Sequence, residues 1–67
     1  MINITVNGEP RAVTPDLTAA QLVELLELGG RRLAVEINRE ILPRSQYAGH
    51  ALREGDRIEI VQAIGGG

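Results

Sequence analysis

Few residues of this 67-residue chain could do chemistry, and their types restrict it sharply. Cysteine is absent, which removes a thiolate nucleophile, a disulfide framework and a Cys-ligated zinc site, and the single His50 cannot build a histidine cluster. Ser45 lies five residues before His50, but one Ser and one His on a surface turn lack the orienting group and oxyanion donors of a catalytic pair. Glu24 and Glu27 have the spacing of a solvated helix face. What remains is the α-carboxylate expected after Gly65-Gly66-Gly67. These glycines cannot cradle a phosphate, because such a loop needs a following helix whose amides point at the anion. They form instead a thread without side chains. Ala63 to Gly67 fully extended would reach ~16–18 Å, and backbone pairing could guide it into a narrow channel of another protein. Ordering such a thread costs conformational entropy, so the folded part of the chain must supply docking affinity.

Composition narrows the function classes further. The length allows one small domain and excludes a multidomain enzyme or a deep substrate cavity, and 43% apolar residues exclude a disordered chain. All seven basic residues are Arg, scattered among nine acids for a net charge of −2, and Tyr47 is the only aromatic. Neither a basic stripe nor a set of stacking platforms exists, so nucleic acid is not an expected partner. No apolar run approaches the ~18–20 residues that span a bilayer, and the first residues lack the regions of a signal peptide, so a cytoplasmic protein without membrane association is expected. The absence of Lys leaves the N-terminal α-amine as the only amine. Codon bias toward Arg accounts for that, and so does protection of an activated tail from attack by its own chain.

The elements that would position the tail can be read from periodicity. Ile2, Ile4 and Val6 alternate as one face of a strand, Asn7-Gly8 suits a type I′ turn, and Glu9 to Thr14 should return antiparallel with Val13 inward and Pro10 near the start or on the unpaired side. Thr18-Ala19-Ala20-Gln21 has the form of a capping box. A helix is predicted over 19–28, buried through Ala19, Leu22, Leu25 and Leu26 and ended by Gly29-Gly30. Leu33, Val35 and Ile37 alternate as a third strand, Asn38-Arg39-Glu40 turns into the short Ile41-Leu42, and Pro43 stops it. Residues 45–52 should hold one 3₁₀ or α turn with Tyr47 and Leu52 under the sheet. Glu54-Gly55-Asp56 is a turn, and Arg57 to Gln62 is the last strand with Ile58 and Ile60 inward. Val6-Asn7-Gly8-Glu9 and Ile37-Asn38-Arg39-Glu40 form a weak repeat that two hairpins with one turn chemistry explain.

A right-handed crossover then places the last strand parallel to the first, within an α+β, ubiquitin-like β-grasp of four or five mixed strands and one main helix. Residues 1–62 form this domain and 63–67 its flexible Gly-rich tail. Alternation turns Val61 and Ala63 outward, and Ile64 has no core left to join, so these three are expected to bind a partner.

Val6-Asn7-Gly8-Glu9, the run from Val35 to Ser45, and above all the run from Glu54 through Gly65-Gly66-Gly67 match, in order and spacing over almost the whole length, a known pattern. They resemble the ThiS family of sulfur carriers in thiamine biosynthesis. The resemblance implies that the Gly67 carboxylate is adenylated by an E1-like enzyme, ThiF, with ATP and magnesium. It is then converted to a thiocarboxylate, and ThiG, the thiazole synthase, takes the sulfur. The chain itself is then a carrier and not an enzyme, with no catalytic residue, metal or bound cofactor. Physical chemistry supports the scheme, because a carboxylate repels nucleophiles and must become a mixed anhydride before sulfur can displace anything. Tail chemistry alone leaves open other β-grasp carriers, such as a small subunit of molybdopterin synthase or a carrier for cysteine or tRNA thiolation. A non-covalent ubiquitin-like module also stays open.

Overall fold

In a computed structural model, which describes residues 1–62, five strands form one sheet in the order β2-β1-β5-β3-β4. β1 (Ile2–Val6) and β2 (Glu9–Val13) pair antiparallel from Ile2 opposite Val13 to Val6 opposite Glu9. Asn7 and Gly8 both adopt positive φ, 51° and 84°, as the type I′ turn demands. Pro10 stands opposite Thr5 on the outer strand, where a missing N–H is tolerated. β3 (Leu33–Ile37), β4 (Glu40–Leu42) and β5 (Arg57–Gln62) complete the sheet. β5 pairs parallel with β1 and antiparallel with β3, so the last strand runs through the centre, as the crossover argument requires.

The helix, α1 (Ala19–Leu25), starts at the expected place and stops early. Thr18 Oγ1 accepts from the Gln21 amide at 3.2 Å, and Gln21 Oε1 accepts from the Thr18 amide at 2.9 Å, completing the capping box. At the other end Glu27, not a glycine, takes the left-handed conformation, with φ 60°. The Leu28 amide donates to the Val23 carbonyl and the Glu27 amide to the Glu24 carbonyl, both at 2.9 Å, which is a Schellman motif with Glu at its left-handed position. The motif folds Leu28 back against the core, and this apolar contact ends the helix before the glycine pair is reached.

The buried arc of α1 is also rotated from the expected one. Ala19, Leu22 and Val23 are buried and Leu26 is half-buried, whereas Leu25 is 56% exposed. Positions 19, 22, 23 and 26 follow the i, i+3, i+4, i+7 template, and anchoring the stripe on Ala19 excludes Leu25 from it. This arc packs with Ile4, Val6, Val35, Ile37, Ile58 and Ile60 in one core cluster, at whose centre Ile58 is fully enclosed. A 3₁₀ helix over Arg44–Gly49 holds Tyr47 half-buried, and Leu52 is buried beside it in sequence, as expected. The following segment is sewn to the start of α1: the Ala19 amide donates to the His50 carbonyl at 2.9 Å and the Leu52 amide to the Leu17 carbonyl at 2.8 Å. No helix among the described residues is long and apolar enough to cross a membrane.

Candidate functional site: the end of the last strand

β5, the last strand of the described residues, is gripped by two turns. β1 gives β5 only a short ladder, with Thr5 opposite Arg57 and Val6 opposite Ile58, because the chain turns back at Asn7. The Asn7 side chain continues the ladder where the backbone cannot. Its Oδ1 accepts from the Ile60 amide at 2.8 Å, and its Nδ2 donates to the Ile60 carbonyl at 3.3 Å, so the carboxamide occupies the place of one more peptide group. On the other side of β5, Asn38 does the same work nearer the strand's start. Its Oδ1 accepts from the Arg57 amide and its Nδ2 donates to Asp56 Oδ1, both at 3.0 Å. Asp56 Oδ2 in turn accepts from the Arg53 amide at 2.9 Å, and Glu54 Oε1 accepts from the Asn3 amide at 3.0 Å. The Glu54-Gly55-Asp56 turn is therefore a hydrogen-bonded platform from which β5 is launched.

Sequence reasoning assigned Asn7 and Asn38 to turn chemistry alone and missed this second role. The signal was the weak repeat itself, which places an Asn carboxamide at the first turn position of each hairpin, free to bond a neighbouring strand.

The face of the sheet away from α1 carries the outward residues of β5. Val61 lies opposite Ala34 and is 63% exposed, as its place in the alternation predicts. Glu59 lies opposite Glu36, which in turn faces Ile41 of β4, and Ile41 is 73% exposed. Ile41 was not foreseen as part of this face, although strand alternation obliges one of Ile41 and Leu42 to point outward, and Leu42 is the buried one. The face is thus apolar at Val61, Ala34 and Ile41, and acidic at the Glu36–Glu59 pair. A groove lined by Thr5, Asn7, Gly8, Arg57 and Glu59 runs beside it.

Of the residues expected to act, Val61 falls on this face. Ala63, Ile64, Gly65, Gly66 and Gly67 lie outside the described residues. Among the described residues no group of His, Asp and Glu side chains could hold a metal ion. Ser45 lies within the 3₁₀ segment, and the His50 carbonyl links that segment to α1.

A sequence profile for the ThiS family matches residues 4–67. The chain belongs to the ThiS family. The sulfur carrier protein ThiS of Escherichia coli strain K12 is 33% identical over 66 residues, which cover 98% of this chain and 100% of that protein. A thiazole synthase of Paramagnetospirillum magneticum is 42% identical over 66 residues, but this chain spans only 20% of its length. Among solved structures, the crystal structure of a thiamine biosynthesis protein, ThiS, from Geobacter metallireducens superposes with a TM-score of 0.84 at 32% identity, covering 98% of this chain and 100% of that one. The five-stranded mixed sheet with one helix is therefore the ThiS β-grasp, as expected from the order of elements.

Proposed function

We propose that this ThiS-family chain is a sulfur carrier for thiamine biosynthesis, working through the α-carboxylate of Gly67. The observation that carries the reading is the family match, which runs through Gly67 over a fold whose central strand leads directly to the tail. A ThiF-like adenylating enzyme transfers AMP from ATP, with magnesium, to a Gly67 carboxylate oxygen and releases pyrophosphate. Sulfide then attacks the acyl carbon, AMP departs, and a thiocarboxylate remains. A ThiG-like thiazole synthase takes the sulfur in exchange for an oxygen atom of its substrate or of water, which returns the carboxylate. The stretch similar to this chain within thiazole synthases of P. magneticum and Magnetococcus marinus supports such a partner. ATP and magnesium belong to the activating partner, and the carrier works in the cytoplasm with no cofactor or catalytic residue of its own. Family membership favours this reading over a molybdopterin-type carrier and over a non-covalent module.

The test is intact mass after incubation with ATP, magnesium, a sulfide source and the adenylating enzyme. Wild type should exchange one oxygen for sulfur. Deleting Gly67 retracts the carboxylate by ~3.5 Å, beyond the alignment acyl transfer tolerates, and should abolish the exchange, while Gly66→Val should impair it by clash in the channel. Sulfur gain in the truncated chain equal to wild type would refute the mechanism.

A further inference from the structure

We infer that Asn7 is a positioning residue for the activated tail: its carboxamide, bonded to the N–H and the carbonyl of Ile60, holds the end of β5 from which the sequence continues into Ala63 to Gly67. The inference rests on the reading above, that the tail beyond β5 is what the partner processes.

Three observations carry it. β1 has already turned away at Asn7, so on this side of β5 the carboxamide is the last partner among the described residues. The two bonds reach Ile60 across a separation of 53 residues and are part-buried, so they are a tertiary link and not local turn chemistry. From Ile60 only Val61 and Gln62 separate the clasp from the tail, and both are held on the β3 side alone, opposite Ala34 and Leu33. Without Asn7 the end of β5 keeps one neighbour in place of two. Its last residues then gain backbone freedom that docking into a narrow channel must remove, and that cost falls on binding and not on the chemical step.

Asn7 is well suited to a clean substitution. Its φ of 51° is one that glycine adopts freely, and Gly-Gly is an accepted type I′ pair, so Asn7→Gly removes the clasp and keeps the turn. Asn7→Asp retains the acceptor for the Ile60 amide and the tolerance of positive φ, but loses the donor to the Ile60 carbonyl. Asn38→Gly is the matched control, since it removes the equivalent clasp at the other end of the same strand.

The experiment measures two quantities on full-length folded protein: amide hydrogen exchange, and steady-state pyrophosphate release by a ThiF-like adenylating enzyme as a function of carrier concentration. In Asn7→Gly, exchange at Ile60 should quicken by about 10-fold, as expected for loss of hydrogen bonds of ordinary strength, while exchange at Arg57 stays at the wild-type rate. KM for the carrier should rise about 5- to 30-fold with kcat retained, because ordering one freed residue costs that much. Asn7→Asp should fall between wild type and Asn7→Gly, and it carries the test alone if Asn7→Gly does not fold. Asn38→Gly should quicken exchange at Arg57 and leave KM unchanged. An unchanged KM in the Asn7 variants, or an equal rise in Asn38→Gly, overturns the positioning role. Absence of pyrophosphate release with wild type refutes the carrier reading instead, so the two failures are distinct.

Discussion

Asn7-Gly8 and Asn38-Arg39 are two turns with the same first residue in nearly the same conformation, φ 51° and 53°, and each sends its carboxamide to the same strand. They differ in what the carboxamide meets. Asn38 joins a network: Arg57 and Asp56 hold it, and Asp56 is itself fixed by the Arg53 amide. The Asn7 carboxamide meets the N–H and the carbonyl of Ile60, and the Asn7 backbone amide donates to the Ile58 carbonyl at 2.8 Å. They differ also in the second turn residue, a glycine in one and an arginine at φ 70° in the other. The start of β5 is therefore locked by several mutually supporting bonds, at some backbone strain, while the β1 side of its end is held by a single side chain, opposite the β3 ladder that runs to Gln62. A central strand bonded by a network at its start and by one carboxamide on the β1 side of its end suits the carrier proposed above, in which the residues after β5 are the working part.

Breaking the stronger clasp should have the largest effect on stability. Asn38→Ala removes the bonds to Arg57 and Asp56 and puts a Cβ-bearing residue without Asn's local hydrogen bonding at φ 53°. Exposed hydrogen bonds contribute about 0.5–1.5 kcal/mol each and a left-handed residue costs about 1–2 kcal/mol, so a loss of about 2–5 kcal/mol is expected in urea unfolding. Asn38→Gly loses the bonds without the left-handed cost, and adds the unfolded-chain freedom of a new glycine, about 0.5–1 kcal/mol. Equal losses in both variants would show that conformation contributes no more than that freedom at this turn.

Both turns were legible in sequence as turns, because Asn tolerates positive φ and apolar residues alternate on either side. Their action on β5 was not, because the bonding partner of Asn7 is 53 residues away and no local pattern marks it. The same distinction runs through the molecule. The capping box at Thr18 and Gln21 lies within one turn and was read correctly, as was the inward facing of Ile58 and Ile60. The choice of Leu25 over Val23 for the buried arc failed, because a stripe anchored on Ala19 runs through positions 22, 23 and 26 and leaves Leu25 off it. Gly29-Gly30 was taken as the helix stop because glycine favours the left-handed position, yet burial of Leu28 placed Glu27 there. Val61 followed from alternation, whereas Ile41 joins it on the outer face only once the register of β4 against β3 is known.

The second-largest effect tests the turn at the exit. A Cβ at Gly8 would meet nothing within 4 Å, so Gly8→Ala charges the protein only for its φ of 84°. The expected loss is about 1 kcal/mol, read as a lower urea midpoint with unchanged m. The Ile60 amide should stay protected, since Asn7 is untouched. A loss several-fold larger, accompanied by faster exchange at Ile60, would show that the turn and the clasp are one cooperative unit and that the exit is not lightly held.

The smallest effect has the opposite sign and probes the strain assigned to the other turn. Arg39 occupies φ 70°, where its Cβ crowds the backbone, and its side chain is exposed. Arg39→Gly should relieve about 1–2 kcal/mol of that crowding. The unfolded chain gains freedom at a new glycine, worth about 0.5–1 kcal/mol against folding. The difference leaves a net stabilisation of about 0.5 kcal/mol, measurable as a raised urea midpoint. Tail activation should not change, because this turn abuts the start of β5, where the Asn38 amide donates to the Arg57 carbonyl at 2.8 Å, and the tail departs from the other end. A lowered midpoint would mean that the Arg39 guanidinium supports the fold by more than the strain it imposes. A raised midpoint with impaired activation would mean that arginine is kept at this strained position for a partner, and the division between a structural turn and an exit turn would have to be redrawn.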